Sequence, residues 1–305
     1  SVEDDTVIKS NLIHNNSEGS GIYFEDADDS VIEDNIIKHN LFNVKYYNHA
    51  ERVLIKNNVI LGSENQGIYV GSNANYGVIE GNTVTDSGNI GIFIQSSDYY
   101  YLGNTTISGS GNFDLKFDKA TIGNSAKNTT FSTISINVNA YFAIYNDLSL
   151  TLVDASDSGF EGVDVKVVND DNILYSTSHY GGTDNKTDSN GSISKNFTLI
   201  FEIYDGSSTP EVIPTNISAR YLDWDETYSL EPSPTLQITV PDLRVKNNRT
   251  GEMSYHLQTA IDNAESGDLI FAWAGIYYEN IEIGKSLTIE GNGTSTIVNG
   301  TFSGT

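Results

Sequence analysis

Four groups of side chains in this sequence have types and spacings that could do chemistry. The loop Asp184-Asn185-Lys186-Thr187-Asp188-Ser189-Asn190-Gly191 puts oxygen ligands in a turn, the chemistry of a Ca²⁺ loop. Asp184, Asp188 and Asn190 are its ligand candidates. The loop lacks the spacing and closing Glu of an EF-hand, so a plain polar loop is the reading beside it. Asp26, Asp28 and Asp29 gather three carboxylates, and Arg52 is the one arginine of the first 145 residues. Carboxylates stacked along a strand with a basic partner would suit acid–base attack on a polysaccharide. These three fall in a single turn, and Arg52 sits at a repeat boundary with no carboxylate cluster fixed beside it in the pattern. A solvated acidic turn is expected, and no catalytic residue is assigned. Tyr23, Tyr69 and Phe93 recur at one position of a repeat. They would stack sugars, or pack against another domain or subunit, and an interface is favoured. Finally, Asn-x-Ser/Thr triplets begin at Asn15, Asn185, Asn190, Asn196, Asn216, Asn248, Asn292 and Asn299, and also at Asn104 and Asn128. Their number suits a glycosylated, secreted surface protein.

What positions these residues is a repeat. Asn11, Asn35, Asn58, Asn82, Asn104 and Asn128 close similar segments such as Val31-Ile32-Glu33-Asp34-Asn35 and Val78-Ile79-Glu80-Gly81-Asn82. The steps between them are 24, 23, 24, 22 and 24 residues, a period that marks a solenoid. A second segment recurs in phase: Gly21-Ile22-Tyr23-Phe24, Asn43-Val44-Lys45-Tyr46, Gly67-Ile68-Tyr69-Val70, Gly91-Ile92-Phe93-Ile94 and Asp114-Leu115-Lys116-Phe117. Its alternation is that of a strand with one buried face. Each unit is therefore two or three short strands joined by tight corners, stacked so that neighbours bury one another's apolar face. The six asparagines are expected as a corner ladder, since Asn also tolerates the left-handed backbone of a corner. Facing inward, Asn104 and Asn128 would be poor glycan acceptors. Lys9, Glu33, Lys56 and Glu80, each two residues before a ladder Asn, alternate in sign, so opposite charges would neighbour across strands.

These repeats resemble the right-handed parallel β-helix of pectate-lyase-like and NosD-like proteins. The resemblance implies the fold; that fold hosts lyases, hydrolases, adhesins and inert scaffolds. NosD-like proteins are linked to copper-site maturation, which would want clustered His, Met or Cys. This chain has five His, one Met (Met253) and no Cys. His14 and His39 stand at different offsets from Asn11 and Asn35, so copper is not expected. The cofactor expectation is none, with Ca²⁺ as the exception at the loop named above.

Composition bounds the partners. Sixteen Lys and Arg stand against 41 Asp and Glu, a formal net charge of −25. Such a surface repels nucleic acid and anionic membranes. With no cysteine there are no disulfides and no thiolate metal sites. No apolar run reaches membrane-spanning length. No signal peptide is visible, and the chain opens within the repeat pattern, as expected of a processed or excised piece.

The fold class is all-β in three parts. Residues 1–146 are the parallel β-helix. Residues 147–243 lose the period and read as short strands with turns between them, including Leu148–Val153, Val163–Val168, Leu199–Ile203, Ile217–Tyr221 and Leu236–Val240. This pattern indicates an antiparallel β-sandwich, and the segment resembles the immunoglobulin-like and carboxypeptidase-regulatory-like modules of surface proteins. In residues 244–305, Ser254 to Ala264 is the one helix, capped by Ser254. The strands that follow it resemble the N-terminal cap and opening coils of a NosD-like β-helix. The chain thus opens with coils that lack a beginning and closes with a beginning that lacks further coils. Exposed strand edges are templates for pairing. The expectation is a self-associating, extracellular cell-surface protein that polymerises head to tail, residues 246–305 completing a neighbour's N-terminal coils in a filament, sheath or surface layer; the two other arrangements are a piece of a longer tandem array of such units, and residues 246–305 folding back to cap the same chain's solenoid. Acidic composition and sequons together suggest an archaeal envelope. An adhesin that binds glycans is the alternative, and a polysaccharide lyase or hydrolase comes third.

Overall fold

The structure, a computed structural model, describes residues 6–119, 121–230 and 235–300. It is all-β apart from short helical turns, and its contacts divide into two units, Ser1–Asp147 with Thr198–Pro214, and Leu148–Phe197 with Thr215–Thr305.

The first unit is a parallel β-solenoid. The first coil supplies strands Val7–Lys9, Leu12–His14 and Ser20–Glu25, and the second supplies Val31–Glu33, Ile36–Lys38 and Phe42–Tyr47. Equivalent strands of successive coils pair in parallel, Ile8 beside Ile32 and Ile22 beside Val44. Alternation puts every second side chain inside. Three inward rows result: Ile32-Ile55-Ile79-Leu102, Ile37-Ile60-Val84-Ile107, and Ile22-Val44-Ile68-Ile92-Leu115, all buried. A coil alone could not bury these rows; each Ile gains roughly 1.5–3 kcal/mol from the coils above and below it. In the first coil Ile8 and Ile13 are only half-buried, because no described coil lies beyond them.

The corner ladder departs from the expected one. It runs Asn11, Asn35, Asn58, Asn82 and then Thr105, whose Oγ1 accepts the Asn82 N–H at 3.4 Å. Thr129 continues the pattern, donating to the Leu102 carbonyl at 3.0 Å. Asn104 and Asn128 are not in this buried row, although Asn128 Nδ2 donates to Asn104 Oδ1 at 3.4 Å on the surface. They stand one position earlier with φ of 46° and 51°, the left-handed site that Ser10, Asp34, Asn57 and Gly81 fill in earlier coils. The 82-to-104 step looked one residue short because an Asn had moved into the left-handed site and a Thr had taken over the buried bonds. Both Asn104 and Asn128 are exposed, contrary to the inward placement expected.

The domain boundary also moves. The strand read at Leu199–Ile203 does not join the middle module. Thr198–Asp205 pairs antiparallel with Ala140–Asp147 at the end of the solenoid's longest sheet, and Glu211–Val212 pairs in turn with it. This hairpin closes the solenoid's last coil. Tyr204 packs on Phe142, Ile136 N–H donates to Ser208 Oγ at 2.9 Å, and Asp147 takes bonds from Lys127 and Thr198.

In the second unit, Asn172–Ser176, Asp164–Asn169, Thr215–Tyr221 and Trp224–Leu230 form one antiparallel sheet. Ser149–Val153 and Thr235–Thr239 form a separate pair that is parallel, where an antiparallel arrangement was expected. In the C-terminal segment, Leu269–Ala272 pairs in parallel with Thr288–Gly291, and Gly275–Tyr277 with Thr296–Val298. Two consecutive turns of chain are thus stacked as in the solenoid. A small core, Val245, Leu257, Ala260, Ile261, Ile270 and Tyr277, holds them to the helix. The helix is Leu257–Asn263, shorter than expected, and Ser254 lies in a strand instead of capping it.

Candidate functional site

The candidate surfaces lie on the outward rows of the solenoid and at its strand edges. The charge row is realised in part: Lys9 Nζ lies 3.0 Å from Glu33, and Lys56 lies 3.6 Å from the same carboxylate. The hydrogen bond from Lys9 holds the Glu33 carboxyl below its ordinary range. Glu80 is the register partner of Lys56.

Arg52 corrects an expectation. The sequence pattern showed no carboxylates fixed beside it, yet its guanidinium grips Asp29 through Nε at 2.6 Å and Nη2 at 2.8 Å, with Glu51 at 3.2 Å and Asp28 at 3.4 Å. Coil stacking brings together residues 23 positions apart, which a turn-by-turn reading does not see. The electrostatics run against proton transfer. The Asp29 bond pushes Arg52 further toward its charged form, and Asp29 is lowered by the same bond.

Tyr23, Tyr69 and Phe93 do share one outward row, but Lys45 and Lys116 occupy it too. Lys45 Nζ lies 5.4 Å from the Tyr23 ring centre and 5.8 Å from that of Tyr69, and Lys116 lies 5.0 Å from that of Phe93. Phe93 is 8 % exposed and Tyr23 is 48 % exposed. Most of the row is therefore packed on its own cations, and only Tyr23 offers an open ring. A second aromatic row was missed: Tyr76 and Tyr99 sit at left-handed corners of successive coils with rings stacked at 5.1 Å and 2°. Its signal was the repeat period itself, with steps of 23, 24 and 23 residues through Asp29, Arg52, Tyr76 and Tyr99.

The proposed Ca²⁺ ligands serve local bonds. Asp184 pairs with Lys195 and accepts the Ser176 N–H, while Asp188 accepts the N–H groups of Asn190 and Ser192. The sequon asparagines Asn15, Asn185, Asn190, Asn196, Asn216, Asn248, Asn292 and Asn299 are all exposed. Among the described residues no group of three or more His, Cys, Asp or Glu is placed to hold a metal.

The C-terminal segment is held by carboxylates from a distance. Glu279 accepts the Leu257 and Gln258 N–H groups at 2.9 and 2.8 Å, capping the helix that Ser254 does not, and Asp223 accepts the two N–H groups before them. Asp268 is buried; it takes bonds from Arg249 and Asn247, which hold its carboxyl well below the ordinary range.

Residues 1–146 match the family model described as periplasmic copper-binding protein (NosD). No curated protein matches the chain. The donor chemistry in the matched segment does not fit copper. His14 lies on an outward row, the His39 ring lies over Gly62, and His49 faces Asp26 at 3.6 Å. Met253 lies outside the matched residues. No helix among the described residues is long and apolar enough to cross a membrane.

Proposed function

We propose that this protein is a structural component of an extracytoplasmic, cell-surface assembly whose copies join head to tail, the C-terminal segment of one completing the β-solenoid of the next. One observation carries the reading. The solenoid has its own lid after its last coil, the hairpin of Thr198–Asp205 and Glu211–Val212, and yet the C-terminal segment builds the same kind of parallel stack again, Leu269–Ala272 on Thr288–Gly291 and Gly275–Tyr277 on Thr296–Val298. One chain thus carries two separate stacks of one kind; parallel stacks extend by edge pairing, and two different stacks meeting between copies make a heterologous contact that propagates.

The periplasmic character of the matching family supports a location outside the cytoplasm, and the exposed sequons and net charge of −25 suit a glycosylated, archaeal envelope protein. The middle module fits the role of an immunoglobulin-like spacer, and the final segment that of a β-helix cap. A glycan-binding adhesin is the second reading, favoured by the open ring of Tyr23. Polysaccharide chemistry has only the Arg52 cluster in its favour.

Negative-stain microscopy of the full chain, beside a chain ending before residue 246, tests the reading. Regular polymers from the first and none from the second are expected. A full-length chain that stays single would shift the weight to the adhesin.

A further inference from the structure

Of the four arginines in the chain, three hold a carboxylate: Arg52 on Asp29, Arg220 on Asp225 and Arg249 on Asp268. Arg244 holds none. Among the described residues its guanidinium makes no ion pair and donates no hydrogen bond, although 41 acidic side chains stand against 16 basic ones. Its neighbours are aromatic instead. The guanidinium carbon lies 5.2 Å from the Tyr255 ring centre and 5.4 Å from that of Tyr277. Contact with a ring uses the face of a guanidinium and leaves its N–H groups, which lie in the plane, to a planar acceptor. Gly275 makes the room: its φ is 153°, and a Cβ there would come within 2.9 Å of Arg244 Nη1. Three bonds fix the Arg244 backbone. Its N–H donates to the Ser254 carbonyl at 3.1 Å, and its own carbonyl accepts the Trp273 N–H at 2.9 Å and the Tyr277 hydroxyl at 2.8 Å.

Arg244, Tyr255 and Tyr277 line a cavity of about 100 Å³ together with His256, Tyr278 and Glu279. Glu279 does not neutralise Arg244. Its two oxygens accept the Leu257 and Gln258 N–H groups, and Oε1 faces His256 at 3.6 Å. Tyr278 is 65 % exposed and leaves its ring open to solvent.

We propose that this cavity binds a small ligand whose carboxylate stands beside a ring, the acid group taking two parallel N–H bonds from Arg244 and the ring lying on Tyr278. Sugar acids and aromatic acids share this chemistry. A carboxylate suits the site better than a phosphate, because it is planar like the fork and brings a single charge close to Glu279 in a chain of net charge −25. A cavity of roughly 150 Å³ is what a benzene ring fills. This one therefore takes the acid group and leaves most of the ring outside, where Tyr278 is open.

Calorimetry and saturation-transfer NMR on the full chain at neutral pH, with four probes, separate these parts. D-Glucuronate and benzoate carry both acid and ring, D-glucose lacks the acid, and acetate lacks the ring. One or both of the first two should bind, and glucose and acetate should bind about tenfold more weakly or not at all. The tighter of the two ring acids identifies the ligand as a sugar acid or an aromatic one. Arg244→Lys keeps the charge and loses the fork, and should weaken binding about tenfold. Tyr278→Ala removes an exposed ring, so it keeps the fold and should also weaken binding; it decides the matter should Arg244→Lys fail to fold by circular dichroism. Silence from both ring acids at tens of millimolar overturns the site. Glucose binding as tightly as glucuronate, or undiminished binding in a folded Arg244→Lys, overturns the role of Arg244. Acetate binding as tightly as the ring acids, or unchanged binding in Tyr278→Ala, overturns the ring contact.

Discussion

At Asn58 the side chain serves three coils at once. Its Oδ1 accepts the Asn35 N–H at 2.9 Å, and its Nδ2 donates to the carbonyls of Ile32 and Lys56 and to Asn82. Asn58→Ala would strand these groups in a buried corner. The expected loss is about 2–4 kcal/mol in chemical denaturation followed by circular dichroism, since each buried unpaired group costs roughly 1–3 kcal/mol. The same experiment checks the corrected ladder. Thr105→Ala should lower stability, whereas Asn104→Gly should change it by no more than about 0.5 kcal/mol, because an exposed left-handed residue tolerates glycine. The reverse ranking would restore Asn104 to the ladder. A second residue-scale prediction concerns Gly77, where a Cβ would come within 2.2 Å of the buried Tyr100 ring. Gly77→Ala should cost about 1–3 kcal/mol through overpacking, and Gly77→Ala with Tyr100→Leu should recover part of that loss. The ladder's first four asparagines were legible because sequence period and residue type agreed. The later rungs were not, because Thr105 replaced the residue type while Asn104, one place earlier, kept it.

Among the elements, strands were easier to read than the groups that fix their ends. Alternation marked the inward rows of every coil. The helix was also legible from Leu257, Ala260, Ile261 and Ala264, but its cap was not, since the carboxylate of Glu279 arrives from 22 residues away. The hairpin of Thr198–Asp205 was legible as a strand and was placed in the wrong module, because alternation gives no information on partners. Asp268 is a similar long-range tie, joining the turn after the helix to Asn247 and Arg249. Its pH effect has a definite sign. The unfolded carboxyl titrates near the ordinary value of about 3.9, and the folded one holds its charge to lower pH. The contribution is therefore complete at neutral pH and is lost as pH falls below the unfolded value toward the folded one. Asp268→Asn should be less stable than the parent at pH 7, with a gap that narrows in acid. Both tryptophans, Trp224 and Trp273, lie in this unit, so their fluorescence during denaturation at several pH values reads the effect. A gap that widens in acid would contradict the assignment.

For the whole molecule, the sequence showed an order of parts that a self-contained solenoid would not have: coils first, a non-repeating module, then a short stretch that begins coils again. The structure adds that one solenoid end is closed by its own hairpin, which the period alone could not reveal because the closing strands come from residues 198–212. The C-terminal segment stacks Ile289 on Ile270 as the solenoid stacks Ile32 on Ile8. Joining of copies through these two stacks is what the proposed assembly requires. Light scattering on the intact chain, from dilute to concentrated solution, measures this most directly. The expected mass climbs with concentration without settling at a fixed multiple, and returns to one chain in Ile289→Asp, where a carboxylate enters the apolar row. A mass of one chain at every concentration would contradict the proposed assembly.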